Sequence, residues 1–266
     1  MAGINTNIAS LNAQRNLSTS QSALSTTMQR LSSGLRVNSA KDDAAGLAIA
    51  ERMSSQVRGM NVAIRNANDG ISYAQTADGA LGKMSDNMQR MRELAVQAAN
   101  GTNTADDVAS LGKEYKELAD ENTRLTTATT FNGTAVFGGG AITFQVGANT
   151  GADNQITVAG LTVTLTAGTL ATNADGTAQM TALDADIKTV TELRATLGAT
   201  QNRFEAVVSG LQAGAENQAA ARSRILDADF ASETANLSRA QILQQAGTAM
   251  VAQANQLPQG VLALLR

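Results

Sequence analysis

The side chains that most often perform covalent, redox or metal chemistry are scarce in this sequence. Its 266 residues include no cysteine and no histidine, which excludes disulfides, Cys or His metal sites, and nucleophiles paired with Cys or His. The remaining candidates are carboxylates, which could act as a general acid and base or bind a cation. The sequence singles out no carboxylate pair for catalysis, so we predict neither an enzyme nor a bound cofactor or metal.

Three short patterns could still suggest a ligand site. Asp184 with Asp186, and Asp227 with Asp229, place two carboxylates close together, but neither pair has the spaced oxygen ligands of a calcium loop. We interpret both pairs as helix-start charges or solvated surface groups. The glycine run at 138–140 lacks the Lys-Ser/Thr that follows in a phosphate-binding loop, and we interpret it as a plain loop.

Charge is distributed unevenly along the chain. Residues 1–41 and 234–266 contain basic but no acidic side chains, while the whole chain has a net charge of −3. These basic residues are too sparse to form the Lys/Arg stripe of a nucleic-acid-binding protein. Membrane-inserting amphipathic helices usually combine many Lys/Arg with Trp or Phe, but this chain has no Trp and is 3% aromatic. We therefore predict no nucleic-acid partner and no membrane insertion.

Both ends of the chain carry apolar residues at heptad spacing, which is typical of helices that pack along a seam. We call these the terminal seams and predict that they are polymerisation surfaces: Leu24, Met28, Leu31 and Leu35 at one end, and Leu243, Met250, Leu257, Val261, Leu264 and Leu265 at the other. The two seams can pair with each other, and the Ala, Gln, Asn and Ser beside them suit contact on more than one side. This is the pattern of a subunit built to pack into an assembly.

Long helices are also predicted between the ends. Residues 53–98 keep a 3-4 spacing of apolar and small residues, and the methionines along this stretch favour core packing over an adaptable binding groove. Capping-box spacings predict helix starts at Ser39 with Asp42 and at Thr104 with Asp107. A further helix is predicted from Thr181, with apolar residues spaced by sevens at Leu183, Val190, Leu197, Phe204 and Leu211.

The middle of the chain has a different character. Residues 126–182 are rich in Thr and Gly, and alternating apolar residues predict short strands at 142–146, 156–158 and 161–165, with a turn at 147–154. The sequence therefore predicts a mainly α fold. It consists of long antiparallel heptad helices, arranged as a terminal coiled coil and an inner helical bundle, with a small β-hairpin region in the middle.

Long segments of the sequence resemble bacterial flagellin, and together they cover almost the whole chain. They are residues 4–7, 29–50, 65–81 and 88–100 in the N-terminal half, 131–133 and 142–151 in the β region, and 221–266 at the C-terminal end.

The resemblance implies a structural subunit that is exported unfolded by the flagellar type III apparatus and adds to the distal end of a helical filament. It implies an extracellular location in the flagellum without a cleaved signal peptide, and the first residues lack the basic and apolar regions of such a signal. The implied partners are further copies of the chain, the flagellar cap and hook-associated proteins, an export chaperone and the export apparatus.

The resemblance also implies how the chain is divided. Residues 1–40 and 223–266 correspond to the inner coiled-coil domain that lines the channel of the tube. Residues 41–130 and 181–222 correspond to the long helices of a second domain, and residues 131–180 to its β-hairpin region. Because the middle has room only for this hairpin, we predict a short form without large outer domains.

One of the resembling segments includes a surface that vertebrate Toll-like receptor 5 recognises on free flagellin. The residues at the positions of the family's receptor contacts are Gln89, Arg90, Glu93, Leu94 and Glu114. Alternatively, these residues make subunit contacts in the filament, and one surface can serve both purposes. Residues 261–266 resemble the leucine-rich end that cytosolic immune sensors and the chaperone recognise, or else pack within the innermost tube.

Two other functions stay open on the sequence alone. A hook–filament junction protein shares the terminal pattern and would occur as a single ring of copies. A secreted membrane-active or adhesive protein belongs to a different class, and the scarcity of aromatic residues argues against membrane leakage.

Overall fold

The computed structural model describes residues 6–166 and 168–263, with side chains of the last helix described through residue 256. Five long helices dominate it, and the predicted mainly α fold with a small antiparallel β-hairpin region is confirmed. The helices are α1 (Ile8–Ser33), α2 (Ala44–Ala98), α3 (Ala105–Ala128), α4 (Asn173–Leu226) and α5 (Phe230–Ala263). The strands are β1 (Thr130–Phe131), β2 (Thr134–Ala135), β3 (Ile142–Gln145) and β4 (Gln155–Val158), with a 3-10 turn at Ala152–Asn154.

The chain divides into two compact units. The terminal unit comprises Met1–Ser55 and Asn217–Arg266, and the central unit comprises Gln56–Glu216. Helices α2 and α4 each contribute residues to both units. The central unit holds the main apolar core, whereas the described residues of the terminal unit form a small buried cluster at Val37, Ala50 and Leu226.

The connection from α1 to α2 differs from its prediction. Helix α1 ends at Ser33 and is capped by Gly34, whose φ of 71° is left-handed and favours glycine. The Asp42 carboxylate accepts from the backbone N–H of Ser39 at 2.9 Å, but this contact closes a turn and not the first turn of a helix. Helix α2 begins only at Ala44, where the Asp43 carboxylate accepts from the N–H of Gly46 at 2.8 Å.

Capping boxes start both α3 and α4. The predicted box at Thr104 and Asp107 is confirmed. At α4 the box lies at Thr172 and Asp175, where the carboxylate accepts from the N–H of Thr172 at 2.7 Å and the hydroxyl accepts from the N–H of Asp175 at 3.3 Å. Hydrogen bonds from the Thr172 hydroxyl and from its backbone N–H lower the pKa of the Asp175 carboxyl, and they are the two largest causes of that shift. The predicted start at Thr181 is therefore wrong, because α4 begins earlier, at Asn173.

A glycine explains why the start of α4 was missed. Gly176 lies in its first turn and weakens the helical pattern of the sequence. In the structure, a Cβ atom at this position would lie 2.7 Å from the carbonyl oxygen of Ala95 and 2.7 Å from the nitrogen of Ala99. Glycine is thus required for the close approach of α4 to the end of α2.

The central hairpin follows its prediction. Strands β3 and β4 pair antiparallel, with Ile142 opposite Val158 and Phe144 opposite Ile156. A smaller hairpin, β1–β2, was not predicted, although its turn is Asn132-Gly133, the dipeptide most typical of two-residue hairpin turns. Both turn residues have positive φ, 49° and 77°, as a type I′ turn requires.

The third predicted strand, at 161–165, is wrong. Leu161 makes only an isolated bridge to Phe137, and residues 162–166 have no regular structure. This segment instead lies on the core as a strap, with its apolar side chains facing inward. Asp186 on α4 anchors the strap by accepting from the N–H and the hydroxyl of Thr166 at 2.9 and 2.6 Å. Because one side of the strap is buried, its apolar and polar residues alternate as they do in a strand, although no partner strand among the described residues pairs with it.

The core of the central unit confirms the heptad predictions. Leu183, Val190, Leu197 and Phe204 on α4 are buried, as are Met84, Met88 and Met91 on α2, so the core-packing interpretation of the methionines is confirmed. Aromatic rings join the hairpins to the helices, because Phe144 packs edge-to-face on Phe204 with the ring centroids 5.5 Å apart.

The two tyrosines of the chain titrate above their usual range. The hydroxyl of Tyr73 donates to the carbonyl of Val136, and that of Tyr115 donates to the side chain of Gln179, both at 3.2 Å. Burial raises the pKa of Tyr73. Burial, with a smaller contribution from the nearby Asp186 charge, raises the pKa of Tyr115 to about 12.

We predict that the folded protein does not show a complete two-tyrosine phenolate absorbance step at pH 10. Because both folded pKa values lie above the unfolded value of 10.0, this contribution to stability is complete below pH 10, and the part from Tyr115 is lost as the pH rises through about 12. Absorbance at the phenolate band and circular dichroism, recorded together during an alkaline titration, test this. A complete two-tyrosine step at pH 10 with unchanged helical signal would contradict it.

Candidate functional site

The terminal unit is built around an antiparallel helix pair, α1 with α5. At one end, Asn7 Nδ2 donates to the carbonyl of Ala254 at 2.7 Å, and Ser10 Oγ donates to Asn255 Oδ1 at 2.7 Å. At the other end, Arg30 Nη1 forms an ion pair with Glu233 Oε1 at 3.2 Å. These contacts, far apart in sequence, fix the antiparallel register of the pair.

The most deeply buried residues of the two helices are small or polar. Among the described side chains they are Ser10 and Thr27 on α1, and Glu233, Ala240 and Ala254 on α5, while Leu24 and Leu31 are half-buried. Gly247 brings the helices close together, since a Cβ atom there would lie 3.2 Å from Leu17 Cδ1. The pair is therefore closely packed but buries few large apolar side chains.

Large apolar side chains of the pair point instead to solvent. Ile8, Leu11, Met28, Ile242, Leu243 and Met250 are each between 50% and 67% exposed. A monomeric protein rarely leaves so many large apolar groups uncovered along one element, and such surfaces mark interaction sites.

The residues of the predicted terminal seams differ in their exposure in the structure. Met28, Leu243 and Met250 are exposed, whereas Leu24, Leu31 and Leu35 are half-buried. The side chains of Leu257 and Val261, and the whole of Leu264 and Leu265, lie outside the described residues.

The predicted seam residues do not include four exposed apolar residues of α1 and α5. They are Ile8, Leu11, Phe230 and Ile242, and Ile242 lies directly before Leu243, out of the heptad register that defined the seam. Counting every large apolar residue of the terminal segments, irrespective of register, would have found them.

Few charges accompany this surface. Glu233 is the sole acidic residue in the sequence of α1 and α5, and it is buried in its ion pair with Arg30. The Nε atom of Arg30 is also buried and, among the described residues, has no hydrogen-bond partner. Removing Glu233 would therefore leave a partly buried guanidinium without its counter-ion, which costs stability.

A second surface contains the residues predicted for receptor or subunit contact. Arg90 on α2 donates from Nε to Glu114 Oε1 on α3 at 2.9 Å and from Nη1 to Glu93 Oε2 at 2.8 Å. The hydrogen bond to Glu114 and, to a smaller extent, the one to Glu93 raise the pKa of the Arg90 guanidinium. Gln89 is exposed beside them, whereas Leu94 is 1% exposed and belongs to the core.

The acidic pairs singled out in the sequence have ordinary structural partners. Asp184 pairs with Arg92 at 2.6 Å on the surface, and Asp229 accepts from the N–H of Ala231 at the start of α5. Asp227 accepts from the hydroxyl of Ser223. Within residues 6–166 and 168–263, no cluster of three or more acidic side chains is arranged to hold a metal ion. No helix in these ranges has the length and apolarity needed to cross a bilayer.

Comparison with models of protein families finds two matches, which together cover most of the chain. Residues 4–141 match the bacterial flagellin N-terminal helical region, and residues 180–265 match the bacterial flagellin C-terminal helical region. The chain belongs to the bacterial flagellin family. It is accordingly a structural subunit of the flagellar filament, located outside the cell, that polymerises with its own copies and associates with hook-associated proteins.

Known flagellins resemble this chain over nearly its whole length. Flagellin from Halalkalibacterium halodurans is 43% identical over 270 residues, covering 99% of each chain. Flagellin from Bacillus subtilis is 43% identical over 302 residues, with the same coverage. The flagellar filament 33 kDa core protein of Treponema phagedenis is 40% identical, again across 99% of each chain. The predicted short form of flagellin is confirmed by this agreement.

Solved structures agree with the assignment. A crystal structure of Bacillus cereus flagellin is 36% identical, with a TM-score of 0.51, and covers 59% of this chain and 94% of its own. A protein described as flagellar hook-associated, from Vibrio parahaemolyticus, has a TM-score of 0.60 over 70% of this flagellin, at 14% identity. That second similarity shows the fold alone, and the matches favour neither the junction protein nor the membrane-active alternative.

Proposed function

We propose that the α1–α5 pair is the polymerisation element of this flagellin, and that neighbouring copies cover its exposed apolar side chains. The observation that carries this proposal is that the most deeply buried residues of the pair, among those described, are small or polar, while several large apolar side chains are at least half exposed. Covering a Leu, Ile or Met side chain contributes about 1.5–3 kcal/mol. Several such side chains on each copy supply a strong driving force for assembly.

The arrangement also suits an open polymer. The proposed segments of the coiled-coil domain, 1–40 and 223–266, contain few charges that neighbouring copies would have to desolvate or bring together. A contact between two different surfaces of the subunit that does not close into a ring generates a helical filament. The segments 41–130, 131–180 and 181–222 are proposed as the second domain with its hairpin region.

Seeded growth tests the polymerisation element. Purified monomer is mixed with short filament seeds or a precipitating salt, and light scattering and negative-stain images are followed together. We expect long tubes of uniform width. Monomer that stays soluble in the presence of seeds would contradict the proposal and support the junction-protein alternative.

We further propose that the exposed surface around Arg90 is a recognition site for Toll-like receptor 5 on the free subunit. Two carboxylates, Glu93 and Glu114, hold the guanidinium in place across two helices, so little side-chain entropy is lost when a receptor binds it. Gln89 lies exposed beside this group, and Leu94 supports it from the core.

We predict that Arg90→Ala weakens receptor activation by free monomer about tenfold, as expected for an arginine at the centre of a contact. The matched control is Arg124→Ala, which removes an exposed arginine paired with Glu121 on α3. The measurement is the half-maximal concentration in receptor reporter cells. Equal potency of the Arg90→Ala variant and the wild-type protein would remove this site from consideration.

Export is proposed on the family resemblance. The type III apparatus, an export chaperone and the cap protein would act on the subunit before it is incorporated, and cytosolic immune sensors would recognise residues 261–266. Intact mass of the subunit in purified filaments tests export without a cleaved signal. We expect the mass of the encoded chain, apart from the initiator methionine, and a shorter N-terminus would contradict export without cleavage.

A further inference from the structure

The described methionines of this protein differ widely in exposure, and between a buried and an exposed group lie two that are half-buried, Met53 and Met180. The chain contains no cysteine, histidine or tryptophan but has nine methionines, so methionine is its most readily oxidised residue type. Met84, Met88 and Met91 are at most 1% exposed in the central core. Met28 on α1 and Met250 on α5 are 56% and 62% exposed.

The exposed group coincides with the assembly surface. Met28 and Met250 lie among the large apolar side chains that the α1–α5 pair leaves uncovered, and Met250 is seven residues after Leu243, on the same face of α5. The buried methionines, in contrast, have no share in that surface. Two accessible thioethers therefore lie on the surface proposed to pack against a neighbouring copy.

We propose that Met28 and Met250 are modification sites at which a hydroperoxide converts the free subunit into a form that no longer assembles. In this step the thioether sulfur attacks one oxygen of the peroxide, an S–O bond forms and the O–O bond breaks. The sulfur is oxidised by two electrons, and hydrogen peroxide is reduced to water. The inference rests on the α1–α5 pair being the polymerisation element.

The physical basis is the change in polarity. A thioether packs as a flexible apolar group, whereas a sulfoxide is polar and accepts hydrogen bonds. Burying a sulfoxide at a dry contact without a donor carries a desolvation penalty. Acceptance of a new copy depends on covering this surface, so oxidised subunits are excluded from the growing end. Subunits that are already assembled are protected, because their neighbours cover the two sulfurs.

The first experiment maps oxidation in the full-length protein. Monomer and filament are exposed separately to hydrogen peroxide, and peptide mass spectrometry measures sulfoxide at each methionine over time. In monomer, we expect Met28 and Met250 to react at least about tenfold faster than Met84, Met88 and Met91, as their exposure dictates. In filament, we expect both to become protected. Equal rates for the two groups in monomer, or unchanged rates in filament, would overturn the proposal.

The second experiment measures assembly of the oxidised monomer on wild-type seeds. We expect its critical concentration to rise about tenfold or more, with circular dichroism of the monomer unchanged. Treatment with methionine sulfoxide reductases of both stereospecificities should restore growth. Normal growth of monomer oxidised at both sites would overturn the proposal. Failure of the untreated monomer to grow would instead contradict the polymerisation element itself.

Variants assign the effect to these two sulfurs. The double variant Met28→Leu with Met250→Leu nearly conserves side-chain volume, so it should assemble like wild-type and resist peroxide. The control is Met84→Leu, which should stay as peroxide-sensitive as wild-type because Met84 is buried. A double variant that still loses assembly after peroxide treatment would overturn the assignment.

Discussion

Deletion of residues 1–30 or of residues 240–266 should abolish filament growth while leaving the central unit folded. Either deletion removes most of one helix of the α1–α5 pair and exposes the inner face of the other: loss of residues 1–30 uncovers Ala240, and loss of residues 240–266 uncovers Ser10. The central unit should persist because its core lies within Gln56–Glu216 and uses no residue of α1 or α5. Seeded light scattering reports growth, and tyrosine fluorescence reports the central unit, which contains both tyrosines.

A milder pair of substitutions separates assembly from folding. Leu243 on α5 and Val62 on α2 are exposed to similar extents, 50% and 44%, so changing either to Ser removes little from the core. We expect Leu243→Ser to raise the critical concentration for growth by about tenfold, and Val62→Ser to change it by about twofold at most. Filaments that form normally after either deletion, or equal effects of the two substitutions, would contradict the assignment of the terminal helices.

The second large effect is expected where α2 meets α4. The ring of Phe204 lies on Gly70, and a Cβ atom at Gly70 would be 2.6 Å from Phe204 Cζ. Phe204 is fully buried and also packs on Phe144. We predict that Phe204→Ala lowers the free energy of unfolding of the central unit by about 3–5 kcal/mol. Denaturant titration followed by tyrosine fluorescence measures this loss.

Glycine substitutions on the same helix provide a matched comparison. In a solvated helix interior, Gly→Ala stabilises by up to about 1 kcal/mol, and a Cβ atom at Gly79 on α2 would have no neighbouring atom within 4 Å. Gly79→Ala should therefore stabilise the central unit. Gly70→Ala should destabilise it by about 1–3 kcal/mol because the buried ring cannot move away.

The double-mutant cycle makes the mechanism specific. In a Phe204→Leu background the ring is absent, so Gly70→Ala should cost much less than in the wild-type protein. The same cost in both backgrounds would show that the Phe204 ring is not what requires glycine at this position.

The sequence was sufficient for features whose signal is local. The heptads of α2 and α4 and the capping box at Thr104 depend on residues within a few turns, and each was predicted correctly. The start of α4 was not, because Gly176 is dictated by the backbone of α2, which is distant in sequence. The strap at 161–165 looked like a strand because alternation reports burial of one side and cannot report the absence of a partner strand.

The candidate site shows a different limit of sequence patterns. Helix α5 carries two sets of residues with the same period of seven, Ala240, Gly247 and Ala254, and Leu243 with Met250. Apolar spacing alone favoured the larger residues for the contact with α1. The structure uses the smaller ones, because the helices approach closely at Gly247, and it leaves the larger ones exposed. Which set faces inward depends on the separation of the helices, which periodicity does not contain.

The near absence of acidic side chains in the α1–α5 pair has a thermal consequence. With Glu233 already neutralised by Arg30, the proposed contact between copies draws its attraction from the dehydration of Leu, Ile and Met surfaces and little from opposite charges. Such an attraction weakens on cooling and strengthens with sulfate, while sodium chloride screening affects it little. We therefore expect filament growth from this flagellin to respond more strongly to added sulfate than to sodium chloride.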